Sequence, residues 1–542
     1  MEKEYSQQVE TDRLMETCQA LTKWERLSGS SQELEAFRYF EKQFQQLGLS
    51  TDLVLHDAYI SLPVSASLTV DGSDYPCQTH SMSVNARQLS AEICYLESLE
   101  ELSPKRCMGR IVMAVSRPVY GAVHRAEMAG AAGMICIQKR RICEGIISNA
   151  WGSPAPDAGD WFPQIPVVSV TDQIADQILK ECTRMQAVMS VETDTGWRKI
   201  PSLTATLKAP ADTEEYVMFS GHLDSWYYGA IDNGTVNAAQ LEVARIASEN
   251  QADLKRNLKF VMFSGHSHGR YAGSAWYADH HWEELHEHCV LNINADSLGG
   301  KGADDLTQSI IMPEAKTVAQ EIIRKLTGVE YVGTRPGRLA DQSFWICGVT
   351  SAFASFSKHK ETEPTGSNLG WWWHTPDDTY DKIDPANLKR DVEIFTDYIM
   401  RFATADRIPL DFRCTAVSIR KAAQQWKEKA REECCLECVL ERIAEVERRL
   451  AEFYGQQQDS KDYNRKIMEI GRELVPLYLT TGNIYANDPA NPVPALPSLM
   501  VIDQMNTVPA GSPDEKQYMV ALVRKKNYVM HSLLKVLKII ES

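Results

Sequence analysis

No stretch of this chain approaches the roughly twenty consecutive apolar residues that a bilayer span requires. The N-terminal MEKEYSQQVETDRL has no apolar run and no cleavage site, so neither a membrane anchor nor a secretory signal is expected. Positive charge is also in short supply: 57 Lys and Arg stand against 73 Asp and Glu, a formal net charge of −16. Such a surface repels phosphate backbones and anionic membranes, which excludes nucleic acid and the membrane surface as expected partners. The 13 cysteines are odd in number and irregularly spaced, so a disulfide framework is not expected and a reducing, cytoplasmic setting fits. Internal repeats and low-complexity tracts are missing. The HEH at 286–288 lacks the spacing of HExxH, so that helical zinc motif is excluded as well.

What is present is enough for several cores. At 542 residues, with 44% hydrophobic and 24% charged content, the chain reads as a soluble multidomain protein. The texture divides it into four parts. Residues 1–55 read as helical, with Ser30 and Ser31 placed to cap a helix through Leu34, Phe37, Phe40 and Phe44. Residues 56–200 hold short alternating runs (SLPVSASLTV, GRIVMAV, GMICIQ, IPVVSV) broken by Gly, Pro and Ser, which predicts an inserted β-rich domain. Residues 201–409 alternate strand and helix: YVMFSGHLD, NAAQLEVARIASEN, LKFVMFSG, SAWYADHHWEELHEH and CVLNINADS. The expected fold class is therefore α/β, a mostly parallel mixed sheet flanked by helices. Residues 410–542 form a C-terminal helical region. Its seam of Leu436, Val439, Ile443, Val446, Leu450 and Phe453 could pack inside the chain or against a second copy as a homodimer.

Ligand-type residues gather at the tips of the apolar runs. His222 ends YVMFSGH, Asp232 lies in GAIDN, Asp296 in NADSLGG and His374 in GWWWHTPDDT. In parallel sheets, ligands collect beyond the carboxyl ends of strands, where His222, His266 and Asp296 fall. Imidazoles and carboxylates on four separate loops make the donor set of a transition-metal site, most naturally zinc, assembled by the fold. A divalent metal, one or two ions, is the expected cofactor, and metal-assisted hydrolysis the expected chemistry.

The order HLDS, GAIDN, NADS, DQSFWICGV, WWWHTPDDT resembles metallopeptidase family 28, the co-catalytic zinc aminopeptidases and glutamate carboxypeptidases, from about Pro201 to Ala405. GRIVMAVSR, AEMAGAAGMICI and IPVVSVT resemble the protease-associated domain that many members insert. The resemblance implies a zinc-exopeptidase fold and hydrolysis of a peptide or amide C–N bond in a small substrate. It makes His222 and Asp296 ligands of one metal, Asp232 the bridge, His374 a ligand of the second metal, and Asp224 the carboxylate that orients His222. Members carry a Glu-Glu pair after the next strand, as general base and metal ligand. Here GHSHG puts His266 at the base position and Ser267 at the ligand position, with His268 following. An imidazole can move a proton or ligate a metal, and a third outcome is a second metal position left empty. His266 and His268 are thus expected as catalytic residues beside Asp224, and His268 also as a metal ligand. Arg270, Tyr271 and Trp373 are expected to meet the substrate.

Two rival readings attach to the same residues. Gly265-His266-Ser267-His268-Gly269 fits G-x-S-x-G, so Ser267 could serve a serine hydrolase with Asp296 and His374, although no HGGG-type loop precedes it. The altered pair also suits a non-catalytic binding member of the same fold. Cys434, Cys435 and Cys438 read as packing residues, and Asp378 as a support for the His374 loop.

Overall fold

The computed structural model describes residues 3–338, 340–360 and 368–542. Its centre is built from strands covered on both faces. Every residue of Tyr216–His222 is buried. Val217 and Phe219 point into one core, Tyr216 and Met218 into another. A strand enclosed in this way reads as an unbroken apolar run, as YVMFSG does.

Asn257–Phe263 pairs parallel to that strand, with Phe263 opposite His222. Cys289–Asn294 pairs parallel on its other side, and Ser351–Ala354 extends the parallel arrangement. Helices Thr11–Leu21, Ser31–Gln46, Thr235–Glu249 and Pro385–Thr404 cover one face, burying Leu14, Phe37, Val243 and Phe395. Tyr277, Ala278 and Phe344 cover the other. The fold is a mixed α/β sheet, mostly parallel at its centre and flanked by helices. His222, Gly265-His266 and Asp296 all follow the carboxyl ends of adjacent parallel strands.

Two long antiparallel strands, Ser50–Val70 and Gln186–Leu207, run from this sheet into a second one. Residues 56 and 200, where the composition shifts, are paired opposite each other inside them. The second sheet has a parallel core of Ala86–Leu96, Ile111–Val115, Gly133–Gln138 and Val167–Thr171. Helices Tyr120–Met128 and Asp172–Glu181 connect or follow its strands, so this second sheet belongs to an α/β layer rather than to a purely β-rich one.

Local differences from the sequence reading have local causes. Ser30 caps its helix by accepting from the Glu33 N–H at 3.1 Å, as expected. The first helix stops at Leu21, however, and residues 22–30 form a loop that reaches into the centre of the molecule. The run SAWYADHHWEELHEH divides at His281, whose φ of −120° and ψ of 24° leave the helical region. Cys435 and Cys438 are exposed rather than packed, while Cys434 is buried.

The C-terminal helices Phe412–Lys429, Glu437–Gly455, Ser460–Leu479 and Pro513–Glu541 enclose the Leu436–Phe453 seam, which joins the main core of its own chain. Among the described residues no helix is long and apolar enough to cross a membrane. The buried Arg472 ties this region to the main sheet by donating to the carbonyls of Leu285, His286, Gly348 and Cys289. Truncation would remove four hydrogen bonds, three of them to buried carbonyls. Arg472→Ala is expected to cost about 3 kcal/mol or more of stability, read as a lowered urea midpoint.

Candidate metal centre

Asp232 lies between two imidazoles. Its Oδ1 is 3.2 Å from His222 Nε2, and its Oδ2 is 3.1 Å from His374 Nε2. Asp296 Oδ1 lies 4.0 Å from the same His222 nitrogen. The fold thus brings His222, Asp232, Asp296 and His374 together from four loops.

Each imidazole is oriented from behind. His222 Nδ1 donates to the Asp224 carbonyl at 2.9 Å, and His374 Nδ1 donates to the Glu144 carbonyl at 2.9 Å. His266 Nδ1 meets Asp341 Oδ2 at 2.8 Å. In all three rings the far nitrogen is left for the centre, the arrangement that fixes the tautomer of metal-binding histidines. His266 stacks on His222 with ring centroids 3.8 Å apart. Donor atoms of His222, His266 and Asp296 lie within 4.8 Å of one another, the only such group of His, Cys, Asp or Glu among the described residues.

A divalent ion fits this donor set. His222 Nε2 and Asp232 Oδ1 are buried and have no hydrogen-bond partner, yet they face each other. An imidazole nitrogen and a carboxylate oxygen 3.2 Å apart are bridged either by a proton or by a shared cation, and this buried donor pair suits a divalent ion. Burial penalises charge on Asp232, but His222 and His374 hold its carboxyl well below the ordinary range. Burial, then the charge of Asp232, pushes Asp296 up.

The loops are fixed by buried polar groups outside the donor set. Arg26, fully buried, donates to the carbonyls of Leu223, Tyr228 and Gly229, at 2.7, 2.7 and 2.9 Å. Asp378 accepts from the N–H groups of Ile231 and Asp232, at 2.9 and 3.0 Å, and burial raises its carboxyl to about 7. Asn233 donates to the Ala295 carbonyl and accepts from Ser297 N–H, joining the Asp232 and Asp296 loops. Asp224 accepts from the N–H groups of His266 and Ser267 and from Ser28 Oγ, so it holds the His266-Ser267 turn as well as His222.

The structure separates the two histidines of that motif. His266 faces the centre. His268 is buried against Trp226, ring centroids 4.2 Å apart, with Nδ1 2.9 Å from Ser28 Oγ. It lines a different cavity, beside Leu62, Gln78 and Tyr227, and lies outside the donor group. Gly265, Arg270 and Tyr271 take left-handed φ values of 72°, 48° and 70°. Two consecutive non-glycine residues in that region turn the chain sharply where the sequence carries RYAGS, and such conformations concentrate at functional sites. No hydrogen bond joins Ser267 Oγ to a histidine among the described residues.

A cavity of about 340 Å³ opens onto His266, Asp296 and His374 and is lined by Arg117, Arg270, Tyr271 and Trp373. The sequence reading did not single out Arg26, Ser28, Arg117, Glu144 or Asp341. Arg26 and Ser28 sit in a stretch that reads as helix. Asp341 belongs to DQSFWICGV, a motif noticed but given no role. Arg117 and Glu144 come from the insert, and no spacing connects them to His374.

Residues 202–399 match the family model described as Peptidase family M28. Aminopeptidase YwaD of Bacillus subtilis is 22% identical over 306 residues, 54% of this chain and 61% of its own length. Carboxypeptidase Q of Mus musculus is 23% identical over 55% of this chain and 64% of its own length. The chain therefore spans less than two thirds of these curated relatives. Among solved structures, the aminopeptidase from Aneurinibacillus sp. strain AM-1 superposes with a TM-score of 0.58 at 22% identity, covering 74% of this chain and 95% of that one. BSAP, a zinc aminopeptidase from Bacillus subtilis, gives 0.58 at 18% identity, covering 74% and 98%. At these identities the superpositions establish the shared fold.

His268 supplies a stability prediction. Burial lowers its pKa to about 4 from an ordinary value near 6.5. Between those values the unfolded chain binds a proton that the folded chain refuses, so stability falls as pH drops from about 6.5 toward 4. The loss should approach about 3 kcal/mol, and His268→Asn should remove it from the pH dependence of the denaturant midpoint.

Proposed function

We propose, taking the family M28 match over residues 202–399 as premise, that the protein is a metal-dependent hydrolase of a peptide or related amide C–N bond in a small substrate. The observation that carries this reading is the buried pair His222 Nε2 and Asp232 Oδ1, 3.2 Å apart without other partners, with Asp296 beside it. His222, Asp232 and Asp296 are the residues that would hold a divalent metal, with His374 on the other oxygen of Asp232; zinc suits the imidazole and carboxylate donors. Bound there, such an ion lowers the pKa of water and polarises a carbonyl.

The chain's own residues supply the remainder. His266, its Nδ1 proton held on Asp341, presents Nε2 to the centre as the atom that takes a proton from the attacking water and returns it to the leaving amine. Asp341 is itself fixed by the Ser274 hydroxyl at 2.7 Å, so the ring has one orientation. Asp224 positions both His222 and the His266 turn. Trp373 stacks on His374, ring centroids 3.5 Å apart, and with Tyr271 forms an aromatic wall of the cavity. Arg117 and Arg270 enter the same cavity with no carboxylate partner among the described residues, and Arg270 Nε is buried without a hydrogen bond. Two such guanidinium groups suit a carboxylate on the substrate.

His222→Ala and Asp232→Ala should each abolish turnover and metal retention together, measured by peptide hydrolysis and elemental analysis. Either variant retaining both refutes the assignment. Arg270→Ala should raise KM about tenfold to a hundredfold for a peptide with a free carboxylate while leaving its amidated analogue unaffected, the size expected for one charge-assisted contact. Equal losses on the two substrates would place Arg270 outside carboxylate recognition.

A further inference from the structure

We infer that the centre holds one divalent ion rather than a pair, and that the serine at 267 determines this. The inference rests on the metal-dependent reading above.

The two sides of Asp232 are not equivalent. On the Oδ1 side, His222 Nε2 and Asp296 Oδ1 are at hand, 4.0 Å from each other, with a His266 donor in the same group. Three protein donors (His222, Asp232 and Asp296) are what a catalytic zinc takes from a protein, leaving one position open. His266 remains beside that open position, stacked on His222.

The Oδ2 side has His374 Nε2 at 3.1 Å and then runs out of ligands. Ser267, at the position where the resemblance implies a ligand, lines the same cavity as His374, and its backbone N–H is bound to Asp224 Oδ2 at 2.9 Å. A neutral hydroxyl does not replace a carboxylate as a zinc donor. Glu144 approaches through its backbone, but its carboxylate turns away to Tyr227 Oη at 3.1 Å and His80 Nδ1 at 3.2 Å. The one group of three ligand-type side chains that forms among the described residues, His222, His266 and Asp296, includes neither His374 nor any donor on its side. Two protein donors do not hold zinc against dilution. His374 then serves as a neighbour to Asp232 and a wall of the cavity.

The test is metal stoichiometry. The full chain is stripped with chelator, reloaded with excess Zn²⁺ or Co²⁺, desalted, and measured by elemental analysis and native mass spectrometry. One ion per chain is expected; two would overturn the inference. No ion at all would instead overturn the metal-dependent reading on which it stands. His374→Ala should keep its one ion, whereas Asp296→Ala should fall toward none, each with its melting temperature measured to show that it is folded. Loss of the ion in a folded His374→Ala would also overturn the inference. Ser267→Glu, if folded, should rise to two ions, and a folded Ser267→Glu that stays at one would overturn the role given to position 267.

Discussion

Concentrated negative charge in a dry interior is the constraint on which the rest of the structure depends. Glu33, Asp224, Asp232, Asp296, Asp341 and Asp378 are all buried around one point. Burying an ionised carboxylate without compensation is costly, so every one of them must be paired, hydrogen-bonded or neutralised. The protein uses all three means. Arg26 contributes a buried positive charge near Asp224, Asp232 and Asp378. Backbone N–H groups converge on Asp224 and Asp378. Burial raises the carboxyls of Glu33 and Asp378, favouring the neutral acid. What these leave uncompensated is the carboxylate pair Asp232 and Asp296 facing His222.

That residual charge explains why so much of the scaffold is devoted to a few loops. Parallel strands deliver His222, His266 and Asp296 to the same edge, but a strand end fixes a Cα position and not the direction of an imidazole. Direction comes from Asp224, Asp341 and Glu144 behind the rings and from Arg26, Asn233 and Asp378 beneath the loops. Consecutive left-handed residues at Arg270 and Tyr271 belong to the same system, since they bring the turn after His266 back into a helix while both side chains stay in the cavity.

How much of this the sequence discloses follows from the physics of each part. Strands enclosed on both faces announce themselves as apolar runs, so the α/β alternation from Tyr216 to Asn294 is readable. His222, Asp232, Asp296 and His374 stand out because they are polar residues at the tips of such runs. The orienting groups carry no comparable mark. Arg26 and Ser28 lie between two apolar-periodic segments, and helical periodicity simply continues through them on paper. The loop there exists because Arg26 finds three carbonyls nearly two hundred positions away, a contact no local pattern encodes. His266 and His268 are two positions apart in the single turn His266–Gly269, and residues at that spacing leave a helix on nearly opposite sides. The C-terminal seam reads equally as an interface or as a core, and the packing of helices 412–429 and 513–541 against it makes it core.

Glu144 and His374 exchange two backbone-level bonds: the Glu144 N–H donates to the His374 carbonyl at 2.9 Å, while the Glu144 carbonyl receives the imidazole proton. The layer built on the second sheet is therefore not a detachable accessory. A trimmed chain, rejoined across the paired strands near 56 and 200, would keep its main sheet yet lose the strut behind one imidazole and a basic wall of its cavity. Any shift in how that layer sits is therefore transmitted through Glu144 to the ring of His374, where the chemistry is proposed to occur.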